Sequence, residues 1–152
     1  MRKLSFWLLF LITACDSGVV FEKNTEIPLD AWNYRNNISY KVTINDTVTP
    51  YNLYLNTRIV TEYPYSNLFV LFITKHPDGQ ISKERIEATL VDNEGKPLGK
   101  GLGEIFYNRS LIRKEFTFNQ LGEYTFELQQ NMRIDNLPGI KNVGLRIEKS
   151  IP

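Results

Sequence analysis

The chain has 152 residues, 42% hydrophobic and 23% charged, which suits one globular domain and excludes a disordered or low-complexity chain. Lys plus Arg number 18 against 17 Asp plus Glu, so there is no basic excess to drive nucleic-acid binding. One Cys and one His exclude an intrachain disulfide and any multi-cysteine or multi-histidine metal site, and no metal or other cofactor is expected.

Met1-Arg2-Lys3 is a positive start, and Leu4 to Ile12 is a short apolar run. At about 1.5 Å per residue this run falls short of a ~30 Å hydrocarbon core, so it reads as the apolar region of a signal peptide. Ile12-Thr13-Ala14 then places an aliphatic and two small residues before Cys15, which resembles the bacterial lipobox. The expectation is a lipoprotein signal peptide over residues 1–14 and a lipidated Cys15 with a short tether over 15–22. A single domain over 23–152 follows. Several acyl chains, each contributing about 0.8 kcal/mol per buried methylene, would anchor the protein stably to a lipid bilayer.

Beyond the tether, apolar residues recur at every second position. Ile38, Tyr40, Val42 and Ile44 share one face, and Tyr51, Leu53, Leu55 and Ile59 share another. Ile86, Ala88 and Leu90 repeat the pattern, as do Tyr124, Phe126 and Leu128, and Val143, Leu145 and Ile147. A period of two means half-buried strands. Leu68 to Ile73 is apolar on both faces, which fits a central strand covered on both sides or a strand with one face in a partner contact. His76-Pro77-Asp78-Gly79 and Asp92-Asn93-Glu94-Gly95 carry turn chemistry. Gly99 to Gly103 reads as a bulged or loosely packed strand start, and Gly122-Glu123-Tyr124 matches a tyrosine corner. No helical period is sustained. The fold class is all-β: an antiparallel β-sandwich, jelly-roll-like, of about eight strands.

No nucleophile elbow, phosphate loop or zinc-protease helix is present, and no carboxylate pair has a spacing that implies convergence. An enzyme is therefore not expected. Trp32, Tyr34, Tyr54, Tyr63, Tyr65 and Tyr107 fall in loops or on the polar phase of strands, where Tyr and Trp serve interfaces or stack on sugars. The segment from Asn131 to Lys141 is longer than a hairpin needs. Either Leu137 and Ile140 plug the core as a lid, or the segment presents Arg133 and Asp135 to a partner.

The mature chain resembles the GldH gliding-motility lipoproteins of Bacteroidetes. The resemblance rests on the lipobox at Cys15, Leu29-Asp30-Ala31-Trp32-Asn33, Pro50-Tyr51-Asn52-Leu53-Tyr54, Ser66-Asn67-Leu68-Phe69 and Leu121-Gly122-Glu123-Tyr124. The run from Asn131-Met132-Arg133 through Leu137-Pro138-Gly139-Ile140 to Val143-Gly144-Leu145-Arg146-Ile147-Glu148 is the most distinctive. It implies an envelope lipoprotein associated with gliding and type IX secretion, and it supplies no catalytic motif. It also makes Asp46-Thr47-Val48 a match to the O-glycosylation pattern of periplasmic Bacteroidetes proteins, with Thr47 as the acceptor. The expected function is a non-enzymatic interaction or assembly component that contacts other envelope or motility proteins. Its expected place is the outer membrane, facing the periplasm. Candidate interaction residues are Trp32, Tyr54, Arg133 and Asp135. The alternative is a glycan-binding envelope lipoprotein.

Overall fold

The computed structural model describes residues 18–150, so the signal peptide and Cys15 lie outside the described residues. Among the described residues there are eleven strands: β1 (Val19–Glu26), β2 (Ala31–Asn33), β3 (Ile38–Ile44), β4 (Tyr51–Val60), β5 (Asn67–Lys75), β6 (Ile81–Thr89), β7 (Lys100–Leu102), β8 (Ile105–Phe116), β9 (Gly122–Gln130), β10 (Asn136–Pro138) and β11 (Ile140–Lys149). A first sheet has the order β1-β11-β4-β8-β7, a second β3-β9-β5-β6, and β10 pairs with β2 as a separate ribbon.

The pairing is nested around one turn. The β5 and β6 strands flank it, and moving outward β4 pairs with β8, β3 with β9, β2 with β10 and β1 with β11. The chain is thus one long antiparallel hairpin, rolled so that successive arms fall into opposite sheets. Two further pairings, β11 with β4 and β5 with β9, close the roll. Eight long strands in these two sheets make a jelly roll. The turn at its tip follows from Pro77-Asp78-Gly79. The Gly79 N–H donates to the His76 carbonyl at 2.9 Å, and the Gln80 N–H donates to Asp78 Oδ1 at 3.0 Å. Gly79 has φ +86°, a value that glycine reaches without the steric cost of a Cβ.

The alternating faces read from the sequence point inward. Tyr40, Val42 and Ile44 meet Leu53, Leu55 and Ile59 from the other sheet, with Val70, Phe72, Phe126, Leu145 and Ile147 completing one core. At one end Tyr51, Phe72, Phe118, Tyr124 and Phe126 form an aromatic cluster with centroid separations from 5.0 to 6.3 Å. Here Tyr124 makes the tyrosine corner: its hydroxyl donates to the Gln120 carbonyl at 3.1 Å and accepts from the Gln120 N–H at 3.2 Å.

Several expectations are revised. Residues 19–22, read as tether, belong to β1, because their backbone pairs with β11. The strand start read at Gly99 to Gly103 is present: it is the short, exposed edge strand β7, followed by the turn into β8. Trp32 is 1% exposed and Tyr63 6%, so both are core residues. Trp32 lies opposite Leu137 in the β2–β10 ribbon, and its indole N–H donates to the Asn36 carbonyl at 2.9 Å, which satisfies its one polar atom. The lid reading holds for the later part of the Asn131–Lys141 segment, since Leu137 and Ile140 are both 0% exposed. Gly139 takes φ +83°, and a Cβ there would lie 3.1 Å from Tyr63 Cα, so this corner of the lid is built for glycine. Leu137→Ala should lower unfolding free energy by about 2–5 kcal/mol in a denaturant titration, the cost of a cavity in a tightly packed core. A loss under about 0.5 kcal/mol would show that the lid does not seal the sandwich.

Candidate functional site

The part of the long segment that precedes the lid is a ridge, and its construction starts with a buried amide. Gln130, 2% exposed, ends β9. Its Oε1 accepts from the Met132 N–H at 2.9 Å, and its Nε2 donates to the Ile134 carbonyl at 2.7 Å. The Tyr34 N–H donates to the Asp135 carbonyl at 3.0 Å, and Gln129 Nε2 donates to the Tyr34 carbonyl at 2.8 Å. These bonds hold residues 131–135 in a defined shape while Arg133 and Asp135 remain exposed. Arg133 and Asp135 form no salt bridge with each other among the described residues.

On one side of the ridge is a groove of about 320 Å³ lined by Tyr65, Phe69, Arg85, Asn131, Met132 and Arg133. Its floor comes from the outer face of β5. Phe69 is half-buried there, with the Arg85 guanidinium 4.0 Å from its ring centroid and Met132 Sδ 3.3 Å from its backbone nitrogen. Tyr65 closes one end and packs edge-on against buried Tyr63, 5.9 Å between centroids. On the other side is a shallower hollow of about 240 Å³ that includes Tyr34, Arg133 and Asp135. The groove has two guanidinium groups and no carboxylate in its lining. Neither Arg85 nor Arg133 has a salt-bridge partner among the described residues.

The outer face of the first sheet is the opposite case. Glu22 Oε1 accepts from Asn56 Nδ2 at 2.9 Å and from Arg109 at 3.1 Å, and Arg146 joins Glu22 to Glu148. Burial alone would raise the Glu22 carboxyl, but hydrogen bonds from Arg146 and Asn56 and the nearby guanidinium charges outweigh it and hold it below the usual range. Tyr54 sits half-buried in this network, its hydroxyl raised first by burial and then by its bond to Glu148. The β4 strand therefore holds Tyr54 on the outer face of the first sheet, away from the ridge that carries Arg133 and Asp135. Of the four candidate interaction residues, the structure brings Arg133 and Asp135 together on the ridge, buries Trp32, and separates Tyr54. Sequence reasoning missed Phe69, Arg85, Met132 and Gln130. The one available signal was the doubly apolar run from Leu68 to Ile73, whose outward residues include Phe69.

Thr47 lies in the bend between β3 and β4, half-buried beside exposed Val48. Asp46 organises this bend: its carboxylate accepts from the Thr49 hydroxyl and from the Thr49 and Val48 N–H groups. Those bonds, the Thr49 hydroxyl foremost, lower the Asp46 carboxyl to about 2 from 3.8.

The class the fold defines is an all-β jelly-roll sandwich, its core a scaffold that carries the braced ridge and the groove at its surface. The profile described as GldH lipoprotein matches residues 19–147, nearly the whole sandwich, so the chain belongs to the GldH lipoprotein family. It is 30% identical over 149 residues to the gliding motility lipoprotein GldH homolog of Christiangramia forsetii, covering 93% of this chain and 91% of that protein. It is 26% identical over 146 residues to the gliding motility lipoprotein GldH of Flavobacterium johnsoniae, covering 91% and 90% respectively. As a member of a lipoprotein family it is anchored to a membrane of the cell envelope.

The lowered Asp46 carboxyl sets a pH dependence. Because its folded value lies below its unfolded one, its stabilising effect is complete above about pH 4 and is lost as pH falls through about 2. A carboxyl-detected NMR titration should place the Asp46 midpoint near 2 in wild type and return it toward 3.8 in Thr49→Val. An unchanged midpoint in that variant would show that the hydroxyl does not hold the bend.

Proposed function

We propose that this protein is a lipid-anchored, non-enzymatic interaction component of the gliding-motility and type IX secretion-associated assembly of the envelope. The observation that carries this reading is the family match over residues 19–147, which spans the strands that build the ridge and groove. The groove supplies a physical means of binding. Phe69, Met132 and Tyr65 offer an apolar floor, and Arg85 and Arg133 leave two cations uncompensated. Such a surface suits an extended, acidic segment of an envelope protein that buries one apolar side chain against Phe69 and pairs its carboxylates with the guanidinium groups. Asp135, on the other side of the ridge, opposes a second acidic group and so helps set the direction in which the segment lies. The chain after Cys15 carries Asp16 but no acidic cluster, which favours the periplasmic face of the outer membrane over export to the surface.

Charge reversal tests the groove. In the native host, a photo-crosslinker at Asn131 should join the wild-type protein to a defined set of envelope proteins, and Arg85→Glu with Arg133→Glu should abolish those adducts. The double variant should melt within a few degrees of wild type, because an exposed cation–π contact contributes only about 0.5–1 kcal/mol. Adducts that survive the double reversal would place the contact elsewhere on the sandwich.

Intact mass from the native host tests both proposed modifications at once. Wild type should carry a lipid increment that Cys15→Ser lacks and a glycan increment that Thr47→Ala lacks. Thr47 sits half-buried in the bend between β3 and β4, outside both strands. A wild-type mass equal to the lipidated polypeptide alone would remove Thr47 as an acceptor, and an acylated Cys15→Ser protein would remove Cys15 as the anchor.

A further inference from the structure

A second site, unrelated to the ridge, lies where the two sheets part at the edge formed by β6 and β8. A cleft of about 520 Å³ opens there, with Asn108 and Ser110 of β8 on one side and Thr89 at the end of β6 on the other. Gly99, just before β7, and Lys100, its first residue, also line it. Three observations set this cleft apart from an ordinary seam between sheets.

The first is an uncompensated polar pair. Asn108 is 5% exposed, yet its Nδ2 has no hydrogen-bond partner. Directly across from it on β4 is Thr57, 1% exposed, whose Oγ1 also has none. Inward positions next to Thr57 along β4 are Leu55 and Ile59, so two unpaired polar groups interrupt an otherwise apolar row. Leaving such groups unsatisfied destabilises a fold, and replacing both by apolar residues would cost nothing in packing terms. A folding role therefore does not explain Asn108, whereas a ligand acceptor placed in the cleft would.

The second is Gly99. A Cβ at this position would lie 2.5 Å from the Tyr107 carbonyl oxygen and 2.7 Å from Asn108 Oδ1. Its φ is not in the left-handed region, so its backbone conformation does not demand glycine. What it provides is close approach: any side chain at this position would be driven against the Asn108 amide.

The third is the polarity of the lining. Leu98 and the Tyr107 ring give it an apolar side; hydroxyls of Thr89 and Ser110 and the Lys100 ammonium accompany the amide, the Arg109 guanidinium is already paired with Glu22, and no Asp or Glu lines the cleft. Lys100 is exposed and has no carboxylate partner among the described residues. A lipid chain or an apolar cofactor would leave the amide, the two hydroxyls and the ammonium without partners. A ring bearing several hydroxyls and one anionic group matches them: hydroxyl oxygens accept from the buried amide, hydroxyl protons go to Thr89 and Ser110, and the anion meets Lys100. We infer that the β6–β8 cleft, centred on Asn108, binds an acidic sugar residue of an envelope or surface glycan. This does not rest on the ridge and groove, and either site can fail without the other.

The test uses the mature, detergent-solubilised lipoprotein on a panel of short oligosaccharides of glucuronate, galacturonate, mannuronate and sialic acid, with neutral counterparts and inorganic phosphate as controls. Acidic members should bind and neutral ones should not. Asn108→Leu should weaken that binding by at least about tenfold while raising the melting temperature, because it removes an unsatisfied buried amide. Lys100→Ala, at an exposed position, should weaken it about as much with no change in melting temperature, and it keeps the test open should Asn108→Leu fail to fold. The inference is overturned if no acidic member binds, if phosphate alone binds, or if the Asn108→Leu or Lys100→Ala protein binds as wild type does. It is also overturned if Asn108→Leu folds but melts lower, since the amide would then be part of the scaffold.

Discussion

The nested pairing about the His76–Gln80 turn is the constraint on which the rest of the structure depends. Once that turn is made, the partner of every long strand is set by its distance from the tip: β5 with β6, β4 with β8, β3 with β9, β1 with β11. A flat hairpin of this length would leave one apolar face in water. Rolling it brings the apolar faces of alternate arms together, and the two extra pairings, β11 with β4 and β5 with β9, satisfy the backbone groups that the roll would otherwise leave open. The short β2–β10 ribbon obeys the same nesting, which is why residues as distant as Trp32 and Leu137 meet.

That ribbon links the packing of the core to the shape of the ridge. Trp32 and Leu137 fill one end of the sandwich, and their burial fixes where residues 131–135 begin and end. Gln130 then determines the shape of the ridge by bonding Met132 on one side and Ile134 on the other. A loop held in this way loses little conformational entropy when a partner binds, so more of its contact energy is available for affinity. The ridge is therefore better suited to recognition than its lack of regular secondary structure suggests.

Charge is distributed unevenly over the two outer faces. On the first sheet, Arg109 and Arg146 are matched by Glu22 and Glu148, with Asn56 and Tyr54 bonded into the same array. Such an array is internally satisfied and has little to offer a charged partner. On the second sheet, Arg85 rests on Phe69 without a carboxylate, and Arg133 stands free on the ridge. The near-equal totals of acidic and basic residues conceal this asymmetry, because they cannot show which cations are already paired.

Much of the fold was legible in the sequence because its signals are local. Alternation in residues such as Tyr40-Val42-Ile44 and Leu145-Ile147 is imposed by the two-residue period of a strand, and Pro77-Asp78-Gly79 forms its turn from its own backbone preferences. Gly122-Glu123-Tyr124 likewise carries the tyrosine corner within a few residues. The family, too, was legible in short runs such as Leu29 to Asn33. The sites were only partly so. Arg133 and Asp135 stood out because their segment is longer than a turn requires, but Phe69, Arg85 and Asn108 look like ordinary strand residues. Trp32 was misread as surface because its partner Leu137 is more than a hundred positions away, and burial depends on what packs against a residue. What the sequence by itself determined is the strand pattern, the turns and the family. Only the tertiary structure decided which aromatics are buried, which arginines lack partners and where the sheets part, because each of these depends on distances between segments that the roll alone brings together.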